Sequence, residues 1–275
     1  MTDVMPQPRT VSVGDVADDD SELTTSVGKA LTLLLAVGSE CSSVGVTALA
    51  ATTNIPKSTA FRLLGLLQER GLVERVGSKY RLGVRLFELG NAIAHCQPRS
   101  LRDLALPHLV DLHVRTGLTV HLAIRDGSDI LYLEKVCDHD RVPTVTHVGG
   151  RLSAHCTALG KALLAHTRDP IVDRMASGWL KPRTPYTIVD PRLFTDQLQS
   201  VRSSGFALDH EESSIGLMCV AAPVLGTEGE AVAAVSLTGR TPRMQPERHA
   251  QTVRSVAMGI GREVRGILAD RPRSE

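Results

Sequence analysis

The sequence predicts an α+β protein of two domains: a small helical domain ending in a hairpin, then a larger domain that mixes helices and strands. Three observations lead to this prediction. The chain has 275 residues, about the length of two domains. Its charge is distributed unevenly, with an acidic start followed by a basic segment. Its apolar residues follow helical spacing in some segments and form short strand-like runs in others.

The charge distribution separates a tail from a first domain. Residues 1–23 carry one arginine against six acidic side chains and show no helical period, which predicts a disordered acidic tail. Residues 24–83 carry seven basic side chains against three acidic ones. The overall net charge of +1 therefore hides a basic domain beside an acidic tail. It excludes a uniformly basic nucleic-acid coat protein but not a local basic surface.

Composition restricts the compartment and the function class. No apolar run approaches the roughly 18 residues of a membrane span, and the first residues lack a signal pattern. The five cysteines are odd in number and include no Cys-x-x-Cys pair, which argues against a disulfide framework. We therefore expect a soluble cytoplasmic protein. Its eight aromatic residues are too few for a surface that stacks single-stranded bases.

Three helices are predicted in the basic segment. A first helix follows from the helical spacing of Val27, Ala30, Leu31, Leu34 and Leu35. A short second helix spans Val46–Thr52 and ends at the turn 53–55. Pro56 suits the first position of a third helix, which runs from Lys57 to Arg70 and ends at Gly71.

The third helix is amphipathic. A buried stripe is formed by Ala60, Leu63, Leu64 and Leu67, which lie at i, i+3, i+4 and i+7. The opposite face holds Ser58, Arg62, Gly65 and Glu69, with Phe61 at its edge. Two strand-like runs, Leu72–Val76 and Lys79–Leu82, then flank the tight turn Gly77-Ser78.

This order of elements predicts a winged helix-turn-helix domain that binds DNA. The third helix would enter the major groove, where its first residues meet base edges. Arg62 can pair with guanine, whereas Lys57 and the hairpin cations would hold phosphates. The predicted DNA-binding residues are Lys57, Ser58, Thr59, Phe61, Arg62, Arg75, Lys79 and Arg81. The alternative is a protein-interaction module with the same layout.

A linker helix follows, and then the larger domain. An apolar stripe of Leu82, Leu86, Leu89 and Ile93 predicts a helix in the linker 84–97, before Pro98. The larger domain, 98–270, is predicted to contain helices Leu101–Arg115, Thr157–His166, Pro191–Ser203 and Gln245–Ala269. Its predicted strands are His121–Ile124, Ile130–Lys135, Met218–Val224 and Ala231–Thr238.

Several segments together resemble those of IclR-type transcription regulators. In the first domain these are Val27–Leu31, Ile55–Leu64, Arg70–Val73 and Tyr80–Gly83. In the second they are Gly150-Arg151, His155–Ala165, Gly205–Ala207, Asp209, Glu212, Gly216-Leu217, Cys219–Val224 and Ala234–Gly239. The resemblance implies a GAF-like second domain, with a central antiparallel sheet between helices. Cys156 departs from the pattern, since the family more often has Ala or Ser there.

The resemblance also implies a pocket for a small-molecule effector. The pocket residues carried over from the family are Ala158, Leu159, Asp209, Leu217, Cys219, Ser236 and Thr238. Independently, the helix that begins at residues 157–160 offers free backbone N–H groups to an anion, and Ser236 and Thr238 share one strand face. We expect a small organic acid or an aromatic catabolite.

The predicted function is that of a ligand-responsive regulator, a repressor of a catabolic or metabolic operon. The expected partners are a double-stranded operator, the effector, and a second copy of the chain, with a dimer of dimers also consistent with the family. No cofactor is expected. A transcription activator and a metal-responsive sensor remain alternatives.

Two constellations suggest other chemistry. His155-Cys156 with Asp209 and Cys219 resembles a thiol hydrolase, but the chain lacks Gly-x-Ser-x-Gly and a distant Cys–His pair is a weak signal. Metal ligands are available, but their spacing fits no standard zinc pattern: Cys137, His139, His147, His155, Cys156 and Cys219. We therefore expect neither a catalytic nor a metal site.

Overall fold

The structure is a computed structural model that describes residues 25–39, 42–96, 101–137, 146–167, 170–178, 180–241 and 244–269. The predicted acidic tail, 1–23, lies outside the described residues, as does His139. The contacts within the chain divide it into two compact units, Met1–Pro98 and Arg99–Glu275. Within the described ranges, no helix combines the length and the apolar character needed to cross a membrane.

The first unit is a winged helix-turn-helix. Its elements are α1 (Ser26–Gly38), β1 (Val44–Gly45), α2 (Val46–Thr53), α3 (Lys57–Glu69), β2 (Val73–Val76), β3 (Lys79–Leu82) and α4 (Val84–Cys96). The three strands form an antiparallel sheet in the order β1-β3-β2. The sequence analysis missed the two-residue strand β1, and Pro56 caps α3 rather than occupying its first turn.

Local residues set the ends of these helices. Thr25 caps α1, because its Oγ1 accepts a hydrogen bond of 3.0 Å from the backbone N–H of Gly28. Asn54 ends α2 in the left-handed conformation, at φ 55°, which asparagine tolerates better than most residues. Gly71 follows α3 at φ 71°, where glycine carries no steric penalty.

The core of the first unit confirms one predicted face and corrects another. All four residues of the predicted α3 stripe are buried, together with Leu33, Val37, Leu49 and Tyr80. The predicted helix α1 is present, but three of the five residues whose spacing indicated it, Val27, Leu31 and Leu35, are exposed. Because the apolar residues surround much of α1, spacing alone did not distinguish its core face.

The second unit is a six-stranded antiparallel sheet with helices on both faces. It contains α5 (Leu101–Thr116), β4 (Thr119–Asp126), β5 (Asp129–Val136), β6 (Arg151–Ser153), a 3₁₀ turn (Ala154–Cys156), α6 (Ala158–Ala165), α7 (Ile171–Ser177), α8 (Pro191–Ser204), β7 (Ala207–His210), β8 (Leu217–Leu225), β9 (Ala231–Arg240) and α9 (Pro246–Ala269). The strand order is β6-β5-β4-β9-β8-β7. The predicted elements are present, whereas β6, β7, α7 and the 3₁₀ turn had been missed.

The two faces of this sheet pack against different helices. Alternate residues such as Val235 and Leu237 face a core shared with α5 and α9. The intervening residues, for example Ala221 and Ala234, face a second core shared with α6 and α8. This second face also carries polar side chains, and it is where a site can form.

Candidate functional site

The outer face of α3 forms a polar and cationic surface. Lys57, Ser58 and Arg62 are exposed, Thr59 is half-buried, and Phe61 is 52% exposed. Because the opposite face of α3 is buried in the core, these side chains at the start of the helix point away from the domain. Their placement matches that of residues with which helix-turn-helix proteins meet base edges.

The hairpin beside α3 carries the remaining predicted cations. The Arg75 guanidinium lies over the Phe61 ring, 5.9 Å from its centroid, and its Nε donates a 3.0 Å hydrogen bond to the Gly77 carbonyl. Arg81 forms an exposed ion pair of 2.8 Å with Glu74, its cross-strand neighbour. Lys79 is exposed at the hairpin tip. A phosphate would therefore compete with Glu74 for Arg81, whereas Lys79 forms no ion pair within the described residues.

A row of polar side chains crosses the second sheet at one level. Asp209 on β7 is in register with Cys219 on β8, Cys219 with Thr238 on β9, and Thr238 with Thr119 on β4. Asp209, Thr238 and Thr119 are buried. A hydrophobic core does not require four successive polar positions, and buried polar groups are costly unless satisfied. The row therefore indicates a binding site rather than a packing face.

Three members of the row, Asp209, Cys219 and Thr238, line a cavity between the sheet and the start of α6. All seven predicted effector residues line it, so the structure brings together residues up to 80 positions apart. Thr157, at the helix start that the sequence analysis proposed for an anion, also lines it. The sequence analysis missed the other lining residues, which are His121, Tyr132, Thr146, Leu152, Ser213 and Ser214. The period of two along the predicted strands would have placed His121 and Tyr132 on the cavity side.

The cavity is narrow. Its interior offers about 30 Å³, roughly the room of two or three water molecules. A larger ligand therefore requires side chains around the cavity to move. None of the described lining residues is a lysine or an arginine.

His121 is a neutral group at the cavity wall. Burial, and secondarily the charge of Lys135, lower the pKa of its imidazole to about 3. Its Nε2 lies 2.9 Å from the Thr146 hydroxyl, and its ring lies 5.2 Å from that of Tyr132. A neutral imidazole can accept one hydrogen bond and donate another.

Asp209 is the buried acid of the cavity. Burial raises the pKa of its carboxyl to about 6, although several hydrogen bonds partly oppose this shift. Its Oδ1 accepts a 2.8 Å bond from the Glu212 backbone N–H, and its Oδ2 accepts a 2.7 Å bond from the Ser213 hydroxyl. The acid thus holds the turn that follows β7.

The first turn of α6 closes the cavity opposite the sheet. Thr157 caps the helix by accepting a 2.9 Å bond from the Gly160 N–H, while Ala158 and Leu159 line the cavity. A Cβ at position 160 would lie 2.1 Å from the Ala154 carbonyl oxygen. Glycine therefore lets the 3₁₀ turn pack directly on α6, which positions the helix start.

A buried ion pair lies beside the cavity. Lys161 of α6 is 0% exposed, and its Nζ donates to Glu212 Oε1 at 2.5 Å and to Gln197 Oε1 at 3.0 Å. Glu212 is also buried. The pair connects α6 and α8 to the turn that Asp209 holds.

Cys156 and Cys219, the two cysteines of the thiol constellation, offer little for nucleophilic catalysis. Burial raises the pKa of the Cys156 thiol to about 12, and it raises that of Cys219 as well. A thiol with a raised pKa is a poor nucleophile. The Nε2 of His155 lies 3.0 Å from the Lys181 carbonyl, which is its described hydrogen-bond partner. Among the described residues, no group of three His, Cys, Asp or Glu side chains is arranged to hold a metal ion.

Two family models match the chain. One, described as the IclR helix-turn-helix domain, matches residues 26–77. The other, described as the C-terminal part of the bacterial transcriptional regulator IclR, matches residues 94–262. Together they cover most of both units.

Individual proteins are similar over most of the chain. The HTH-type transcriptional regulator XynR of Escherichia coli is 33% identical, over 80% of this chain and 87% of its own. The HTH-type transcriptional repressor AllR of Salmonella typhimurium is 32% identical, over 79% of this chain and 82% of its own. A crystal structure of an IclR homolog from Microbacterium hydrocarbonoxydans, complexed with 4-hydroxybenzoate, matches with a TM-score of 0.76 and 26% identity. The match covers 86% of this chain and 99% of that one.

Proposed function

The chain belongs to the IclR family of bacterial transcriptional regulators, and we propose that it represses a catabolic operon in the cytoplasm. In this proposal the winged domain binds a double-stranded operator, and a small organic acid in the cavity causes its release. The in-register polar side chains Asp209, Cys219 and Thr238, which line the cavity on a buried sheet face, carry the effector part. The cationic outer face of α3 carries the operator part.

The cavity chemistry favours a carboxylic acid that also carries an apolar body or a hydroxyl. The first backbone N–H groups of α6, near Ala158 and Leu159, suit a carboxylate. The Thr238 hydroxyl and the neutral imidazole of His121 suit a hydroxyl or a second oxygen. The similar protein bound to 4-hydroxybenzoate supports an aromatic acid as one member of this class.

A homodimer would cover the exposed apolar side chains of the first unit. Six described apolar side chains on α1 and α4 are exposed by more than half: Val27, Leu31 and Leu35 on α1, and Val84, Phe87 and Leu89 on α4. Two copies would also place two recognition helices on a pseudo-palindromic operator, and a dimer of dimers is compatible with the same contacts. The molar mass in solution, measured by light scattering, tests this assembly.

The test is operator binding by the purified protein at fixed salt. Fluorescence anisotropy with a duplex from the protein's own promoter region would be followed while 4-hydroxybenzoate or another small organic acid is added. Release of the duplex by one acid is the expected result. Specific binding that no acid in a wider panel changes would contradict the effector part, and tighter binding with the acid would contradict release.

A matched pair of variants assigns the response to the cavity. Thr238→Val removes a cavity hydroxyl and is expected to raise the acid concentration needed for release about fivefold, the net worth of one hydrogen bond. Thr195→Val removes a hydroxyl on α8 that bonds the Pro191 carbonyl at 2.9 Å, away from this cavity. Its acid response should equal that of the wild type.

A further inference from the structure

Phe61 presents a large apolar ring on the face of α3 that we assign to DNA. It is 52% exposed, with Ser58 one turn before it and Arg62 directly after it. The core of the first unit does not use it, since the buried side of α3 is the stripe Ala60–Leu67. A half-exposed aromatic ring among hydroxyl and cationic groups loses its contact with water only when a partner covers it.

Arg75 restrains this ring from the hairpin side. Its guanidinium lies 5.9 Å from the ring centroid, a distance at which a cation is attracted to the aromatic face. The same guanidinium is held by its Nε, which donates to the Gly77 carbonyl. The hairpin therefore limits the orientations of Phe61, which lowers the entropy cost of placing the ring against a ligand.

We propose that Phe61 reads thymine, by packing its ring against the C5-methyl group of one thymine in each operator half-site, with Arg75 as the positioning residue. The inference rests on the proposed operator binding. The C5-methyl is the apolar group that a base edge exposes in the major groove, and phenylalanine is one of the side chains that contact it. The adjacent Arg62 suits guanine, so the two residues would read neighbouring base pairs.

The operator is first identified by selection. The full-length protein would be mixed with a random duplex library, and the bound sequences would be amplified and sequenced. The selected duplex would then be synthesised with deoxyuridine in place of thymine, one symmetric pair of positions at a time. This change removes the methyl group and leaves the base-pairing groups unchanged.

The expected result is one thymine per half-site at which uridine weakens wild-type binding about fourfold, the worth of one buried methyl group. Phe61→Ala should bind both duplexes equally at that position. Phe61→Leu, which keeps an apolar side chain, should retain part of the preference. Leu66→Ala, which shortens an exposed apolar residue later in α3, serves as the control and should keep the full preference.

The thymine-to-uridine ratio separates positioning by Arg75 from contact with a phosphate. If Arg75 only held a phosphate, Arg75→Ala would weaken both duplexes equally and leave the ratio unchanged. If Arg75 positions Phe61, Arg75→Ala should lower the ratio of the affinity for the thymine duplex to that for the uridine duplex towards one. Arg75→Lys should retain part of the thymine preference. Circular dichroism melting would verify that each variant is folded.

Two results would overturn the assignment. One is a wild-type protein that is indifferent to every thymine methyl of its selected operator. The other is a methyl preference that Phe61→Ala leaves intact. If selection enriches no sequence and no duplex is bound, the proposed operator binding itself fails, which distinguishes that failure from the failure of Phe61 alone.

Discussion

Lys161 Nζ lies 2.5 Å from Glu212 Oε1, and both side chains are buried. Lys161 belongs to α6, whose first turn lines the cavity, and the Glu212 N–H donates to the cavity acid Asp209. The other oxygen of Glu212, Oε2, is buried and accepts no hydrogen bond within the described part of the chain. The ion pair thus joins α6 to the turn that follows β7. Each of its two buried charges is stabilised by the other.

Replacing Lys161 by methionine should destabilise the second unit by about 3–5 kcal/mol, because it leaves the Glu212 carboxylate buried without its cation. Thermal or urea unfolding followed by circular dichroism would measure this loss. The double variant Lys161→Met/Glu212→Gln should recover part of it, and Lys181→Met, at an exposed lysine, should have little effect. A loss as small as that of the control would show that the pair does not support the fold.

Asp209→Asn should make the stability difference from the wild type depend on pH between about 4 and 6. The wild-type pKa is raised to about 6, so the folded protein keeps a proton that the unfolded chain releases near pH 4. The wild type therefore loses stability as pH rises through this window, by about 3 kcal/mol for two pKa units. Urea midpoints of both proteins at several pH values would measure it. A difference that does not change with pH contradicts the raised pKa.

His121→Gln should give a pH dependence of the opposite sign. In the folded wild type the pKa of the His121 imidazole is lowered to about 3. Below about pH 6.5 the unfolded chain therefore binds a proton that the folded protein does not bind. The wild type therefore loses stability as pH falls from about 6.5 towards 3, whereas the variant lacks this loss. The same urea series measures it. NMR titration of the imidazole at a pKa near 6.5 would contradict the prediction.

If Arg62 makes the proposed bidentate contact with guanine, Arg62→Ala should lose about 1–3 kcal/mol of operator binding and relax the preference at one base pair. Selection from a random library would show the relaxed position. Gln68→Ala, on an exposed residue at the end of α3, provides the comparison. Unchanged base preference in the Arg62 variant would remove this residue from direct readout.

Lys79→Ala should weaken binding to all duplexes alike and reduce the slope of log affinity against log salt by about one, as expected for one lost phosphate contact. Anisotropy titrations at four salt concentrations would measure the slope. Arg81→Ala should change it less, because Arg81 is already paired with Glu74. A loss confined to one sequence in the Lys79 variant would indicate a base contact instead.

Periodicity predicted the elements whose apolar residues lie on one side. The stripe of α3 is such a case, and it is buried as expected. Periodicity did not distinguish the faces of α1, where Leu33 and Val37 are buried but Leu31 and Leu35 are exposed. It also missed β7, whose four residues mix apolar and charged side chains at the sheet edge.

Spacing and motif order along the chain were enough to predict the order of the helices and most strands and the basic outer face of α3. The family resemblance added seven residues that line one cavity. These depend on spacing along one element or on motifs in order. Three relationships appear only in the folded chain. The residues Asp209, Cys219, Thr238 and Thr119 stand in one row, His121 and Tyr132 line the same cavity as the first three, and Arg75 lies over Phe61. The reason is physical: strand register and burial are set by contacts between residues far apart in the chain, and these contacts also decide which charges lose their water.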